Sequence, residues 1–228
     1  EKIAFYSKLT KILPIKTPPD IIIEYFIEVE NYCKKSDVDK MKLLKNFTII
    51  LKQFTIKEYI TLEPVKSHIL NYSSYLENYI ECILSLYQNV NIPFISLIKK
   101  PVLKFLILFP EQTVNYLIDS CSSPTLFNYY FLKELIVGDK TNVFFQSFLN
   151  SMENKRENFA LISPCLASVI EKLSSNERFV NEQRFFLLVH DALSHVIHSC
   201  SDQSKSDENA YQILTSLSIS FLNMLKYN

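Results

Sequence analysis

Glycine is nearly absent from this sequence, with Gly138 the only one in 228 residues. Hairpin turns, dinucleotide-binding loops and phosphate-cradling loops all use glycine for positive φ or close backbone approach. Its scarcity argues against β-rich folds and against glycine-loop phosphate binders. Net charge is missing too: 24 basic and 24 acidic residues cancel. Such a chain has no general field to attract nucleic acid or an anionic membrane. Long apolar runs are also lacking. The best one is interrupted by Lys99, Lys100 and Lys104, short of the roughly 18 apolar residues that a membrane span needs.

The five cysteines, Cys33, Cys82, Cys121, Cys165 and Cys200, are odd in number and more than thirty residues apart. That is neither a disulfide framework nor a zinc spacing, and it leads us to expect reduced thiols in an intracellular protein. No charged-then-apolar leader opens the chain. It starts at Glu1 directly in helix-like pattern, so we expect an excerpt of a longer protein.

What the sequence does contain is apolar and aromatic: 48% hydrophobic residues, with 17 Phe and 13 Tyr. That is enough to build a sizeable core. The apolar residues recur at helical intervals. Val65, Ile69, Tyr72, Leu76, Tyr79, Ile83 and Leu86 alternate steps of four and three. Pro19 opens a helix carrying Ile22, Phe26, Val29 and Cys33, and Ser36 with Asp39 forms a capping-box-like start before Met41 and Leu44. Helices are expected from Pro124 to Val137, ending on Gly138 as a left-handed terminator, and from Asn142 to Met152. A helix from Phe159 to Leu173 holds Pro164 inside, where it should kink or split. Phe186, Val189, Leu193, Val196 and Cys200 form another stripe. After the polar stretch from Ser199 to Asn209, Ser206 can cap a last helix with Ala210, Ile213, Leu217, Phe221 and Leu225 turned inward.

Short links between amphipathic helices make antiparallel neighbours, and a long series of them makes a bundle or an α-solenoid. No repeat period survives at the level of residue identity, and no composition shift marks a domain boundary. The expected fold is therefore all-α, an α-solenoid of irregular HEAT-like antiparallel helix pairs, with residues 1–228 forming a single helical-repeat segment.

The stretch KKPVLKFLILFPEQTVNYLID has its own logic. Pro101 suits the first turn of a helix from Val102 to Phe109, and Pro110 suits the first turn of the next, with Glu111 near the positive end of its dipole. A residue before proline is pushed out of α conformation, so Phe109 should end the first helix at an elbow. A helix apolar on nearly every side belongs in an inner layer, with Lys104 reaching an edge. The block Pro101, Lys104-Phe105-Leu106, Pro110, Gln112-Thr113-Val114 resembles one in the HEAT region of the TRRAP family, the transformation/transcription domain-associated pseudokinases related to the PI3-kinase-like kinases. A Pro93-Phe94 pair precedes it, at a longer spacing than that family's pattern, and Leu108 stands where the family carries a basic residue. The resemblance implies a large nuclear scaffold whose HEAT region holds histone acetyltransferase co-activator complexes together and receives transcription activators. It places no catalytic residue in the block.

Candidate chemistry elsewhere is thin. In HDALSHVIHSC, His190, His195, His198 and Cys200 carry metal-binding side chains. On one helix they cannot converge tetrahedrally, and Asp191 four residues before His195 suggests an Asp–His pair on the wet face. Cys165 or Cys200 lacks any nucleophile-elbow motif. The pairs Glu24–Glu28 and Glu77–Glu81 are helix-face neighbours without a sign of a cleft. Lys34, Lys35, Lys40, Lys42 and Lys45 interleave with acids, and Tyr72 with Tyr79 fits core packing better than a binding platform.

The expected function is thus that of a non-catalytic scaffold binding protein subunits and transcription activators. No cofactor, metal, nucleic acid, membrane or small-molecule substrate is indicated. A HEAT-type transport receptor, marked by an acidic groove for basic cargo, or another complex scaffold is the first alternative; a helical enzyme is the remote one.

Overall fold

The computed structural model describes residues 103, 106–120, 126–155, 162–202 and 208–227, together with 24, 27, 28, 31, 67 and 80. The chain divides into two compact units, Glu1–Phe109 and Pro110–Asn228. In the first, Glu24, Ile27, Glu28, Asn31, Ser67, Ile80, Leu103 and Leu106 are helical. Among the described residues of the second, seven helices follow in order: α1 Pro110–Ser120, α2 Leu126–Gly138, α3 Val143–Asn154, α4 Pro164–Ser174, α5 Glu177–Val180, α6 Gln183–Asp202 and α7 Glu208–Tyr227. Among the described residues there is no strand, and the fold class is all-α.

Prolines set the starts. Pro110 is the first residue of α1, with Glu111 in the first turn. Pro164 is likewise the first residue of α4, which corrects the expectation that it would break a helix begun at Phe159. Ile162 and Ser163 are not helical. Ser163 is extended (φ −76°, ψ 156°) and caps the helix, its side chain accepting from Leu166 N–H at 3.2 Å. The first helical N–H has no intrahelical partner in any case, so proline loses nothing there.

Helix ends need two further corrections. Ahead of Pro110 the helix stops at Leu106, earlier than Phe109, and Ile107 to Phe109 form a turn closed by Phe109 N–H to Leu106 O at 2.9 Å. Gly138 is not left-handed. No described glycine has positive φ, and the left-handed residue is Asn142 (φ 64°), the cap position of α3.

The reason lies in Asp139, whose backbone N–H still bonds Leu135 O at 3.0 Å in helical fashion. Its carboxylate then accepts Thr141 N–H at 2.8 Å, the Thr141 hydroxyl at 2.5 Å and Phe144 N–H at 3.0 Å. The turn and the α3 cap are both supplied by this side chain, and asparagine tolerates the left-handed position that results.

Helix α3 is the centre of the unit. Seven of its twelve residues are buried: Phe144, Phe145, Ser147, Phe148, Leu149, Ser151 and Met152. It packs mainly on α1, and also on α6 and α2. Phe145 meets Phe179 of α5 at 4.4 Å between ring centroids and Phe185 of α6 edge-on at 5.5 Å. Phe179 and Val180 explain why a four-residue α5 persists, because both are fully buried.

The most extensive pairing is α4 with α7. Its small buried residues, Ala167, Ser174 and Ser220, let the two axes approach closely. Neighbours fall into two rows: α1 against α3 and α3 against α6; α2 against α4 and α4 against α7. The rows join through α1–α2, α2–α3 and α6–α7, while α5 touches α4, α6 and α7.

Burial pushes the Asp139 carboxyl up, but the Thr141 hydroxyl and the N–H groups of Phe144, Thr141 and Val143 outweigh it and hold the pKa below its ordinary value. A lowered carboxylate pKa stabilises the fold above the unfolded value of about 4, and the contribution is lost as pH falls through the lowered one. Asp139→Ala should cost about 2 kcal/mol at neutral pH, the loss of a cap plus unpaired N–H groups. Denaturant titrations from neutral to acid pH should also show a shallower acid decline for Asp139→Asn than for the parent chain.

Candidate interaction surface

The residues that carry the family resemblance are distributed as follows. Pro101, Lys104 and Phe105 lie outside the described residues. Leu106 is fully buried, Pro110 half-buried and Gln112 exposed, while Thr113 and Val114 are fully buried on α1. Five of the eight therefore have a described setting. Among the described residues, Thr113 Oγ1 and Ser151 Oγ are buried without a hydrogen-bond partner, on α1 and α3 respectively. Those two helices pack against each other.

The histidine-bearing segment lies on α6. His190 Nδ1 sits 3.1 Å from the carboxylate of Asp191, its ring 6.2 Å from that of Phe221 on α7. His198 Nδ1 is 2.7 Å from Ser194 O, inside its own helix. Among the described residues, no group of three or more His, Cys, Asp or Glu side chains could hold a metal ion. Cys165, in the first turn of α4, is a half-buried free thiol. Glu24 is exposed and Glu28 half-buried on helical backbone. Glu77, Glu81, Tyr72, Tyr79 and the lysines from Lys34 to Lys45 lie outside the described residues.

Two polar clamps were not foreseen. The guanidinium of Arg184, at the start of α6, lies over the only face of α3 that is not buried. It donates to Gln146 Oε1 at 3.1 Å, to Asn150 Oδ1 at 2.7 Å, and to both carboxylate oxygens of Glu153 at 3.0 and 2.7 Å. The Glu153 hydrogen bond raises the Arg184 pKa above its ordinary value; partial burial works against it, and the charges of Glu153 and Glu182 add to it. Arg178 on α5 donates to the backbone oxygens of Asp139 and of Val137, the latter at 3.5 Å. Its guanidinium also lies 5.1 Å from the Phe179 ring centroid. A third tie joins the ends of α1 and α3, where Lys155 pairs with Asp119.

The available signal for these clamps was scarcity. Only Arg156, Arg178 and Arg184 among the 24 basic residues are arginine. A planar fork satisfies several acceptors at once where lysine offers a point charge.

The outward surface is partly apolar, and five of the ten exposed large hydrophobic residues among the described ones sit on α7. Tyr211, Ile219, Leu222, Leu225 and Tyr227 are exposed there. Leu225 was expected inside; the buried residues are Leu217, Ser220 and Met224. The stretch expected as a loop from Ser199 is also shorter, since α6 runs to Asp202 and Ser199 Oγ bonds His195 O at 3.0 Å. No helix among the described residues is long and apolar enough to cross a membrane. Comparison with known proteins returns no matching family profile, curated protein or solved structure.

The Arg184–Glu153 pair is partly exposed, with side-chain accessibilities of 39% and 31%, so solvent screening limits its worth. Arg184→Ala should destabilise the unit by about 1 kcal/mol, and Arg184→Lys should recover less than half of that. A double-mutant cycle with Glu153→Gln, read by chemical denaturation, should return a coupling of about 0.5 to 1 kcal/mol that shrinks in high salt.

Proposed function

We propose that the chain is a segment of an irregular HEAT-like α-solenoid acting as a non-catalytic scaffold, and that the scaffold is of the TRRAP type, nuclear and part of histone acetyltransferase co-activator assemblies. The observation that supports a solenoid is the order of helix neighbours. In stacked helix pairs, the first helix of each pair packs on the first of the next, and the second on the second. The rows α1–α3–α6 and α2–α4–α7 follow that rule, with α5 as a short insertion between the second and third pairs. The TRRAP part of the reading rests on the Pro101 to Val114 block alone.

Function in such a scaffold is recognitive. Packed pairs fix the curvature, and outward helix faces and the grooves between them take up protein subunits and activators. Rigidity matters here because a mobile array would lose binding energy to ordering. The clamps of Arg178 and Arg184 contribute to it by holding α5 and α6 on α2 and α3.

The test is to immunoprecipitate the native gene product from cell extract with an antibody raised against this chain. The expected precipitate contains a polypeptide many times longer than 228 residues and acetylates histones. A long helical polypeptide without acetyltransferase activity overturns the TRRAP assignment and leaves the solenoid. A short polypeptide without partners overturns both.

A further inference from the structure

Helix α7 is apolar on two sides. Leu217, Ser220 and Met224 are buried, on a helix that packs against α4 and α6. On a second side, roughly 130° round the helix, Tyr211 is 72% exposed, Leu222 58% and Leu225 50%, with Leu214 and Ser218 half-buried between them. At about 100° per residue, Tyr211, Leu214, Ser218, Leu222 and Leu225 fall in a single stripe roughly 80° wide.

The spacing of this stripe is three, four, four and three residues, and it reads the same in both directions. A second α7 laid antiparallel on it places Tyr211 opposite Leu225 and Leu214 opposite Leu222. Ser218 then meets its own copy at the centre, where a small side chain lets the axes approach.

Charge points to the same partner. Glu208 lies in the first turn of α7 and Lys226 in the last. They are eighteen residues apart, five helical turns, so both sit on the same flank of the stripe. In the reversed copy each therefore meets the opposite charge, once at either end. Antiparallel macrodipoles add to this arrangement.

We propose that this chain self-associates as a two-fold symmetric dimer through the outer face of α7, the occupant of that face being a second copy of the chain. The interface is isologous, since every residue on it meets its mirror position in the stripe. One helix pair buries less than a standard protein–protein interface, so the dimer is a weak, reversible one.

Sedimentation equilibrium of the 228-residue chain over a concentration series should show a monomer–dimer equilibrium. Leu222→Glu should raise the dimer dissociation constant at least ~30-fold, with helical circular dichroism unchanged because Leu222 is exposed. Lys226→Glu should raise it several-fold, and Glu208→Lys added to it should restore most of the loss. Carbodiimide coupling of mixed isotope-labelled and unlabelled copies should yield a Glu208–Lys226 link between copies. Within one helix those residues are about 27 Å apart, so a zero-length link cannot form inside one chain. A chain that stays monomeric throughout, a dimer indifferent to Leu222→Glu, or the absence of the mixed-copy link overturns the proposal.

Discussion

The buried carboxylate of Asp139 is the constraint on which the second unit turns. A buried charge is tolerated only where donors replace the water it has lost. Here the donors are the Thr141 N–H and hydroxyl and the Phe144 N–H, all of them in the segment that starts α3. Satisfying the carboxylate therefore fixes where α3 begins and in which direction it leaves α2. The backbone oxygen of the same residue is taken by Arg178, which also reaches Val137 O at the negative end of the α2 dipole. One residue thus ties together α2, α3 and α5.

The rest of the packing follows from the direction of α3. Its wide apolar face receives α1, and Phe145 completes an aromatic cluster with Phe179 and Phe185. Its narrow polar strip, Gln146, Asn150 and Glu153, is bridged along its length by Arg184. The two arginines do different work. Arg178 closes a helix terminus whose carbonyls have no intrahelical donor, whereas Arg184 spans two turns of a helix side. Neither task suits the point charge of a lysine, although lysine supplies all but three of the chain's 24 basic residues. Lys155 with Asp119, an exposed pair at the ends of α1 and α3, is by contrast a contact of the kind that contributes little to stability.

The helical class was legible from periodicity and from the shortage of glycine, because both depend on local chemistry alone. The start of α1 at Pro110 was legible for the same reason. Pro164 was misread because Phe159, Leu161 and Ile162 continue the apolar pattern across the true boundary, so periodicity hides it. The Ser163-Pro164 pair, a cap followed by a first-turn residue, was the better guide. Gly138 marked the end of α2, but its conformation depended on a side chain one residue later. Asp139, Arg178 and Arg184 act on partners distant in sequence or through turn geometry, and spacing rules do not reach those. The Leu225 assignment failed differently. With apolar residues on both sides of α7, the period identifies two stripes and says nothing about which faces inward.

That ambiguity has a physical origin in the two rows. Within its row α4 is flanked by α2 on one side and α7 on the other, and its apolar residues are consumed by both. Helix α7 has α4 on one side, with α5 and α6 closing the inner face. An outer face bearing Tyr211, Leu222 and Leu225 at half exposure or more therefore has the composition of a position that is flanked again. A further helix of the same array would make a heterologous contact, which requires complementarity but no symmetry within either helix. A second copy makes an isologous contact, which requires the stripe to match its own reversal. The three-four-four-three spacing, the small residue at its midpoint and the opposite charges at its ends meet that stricter requirement.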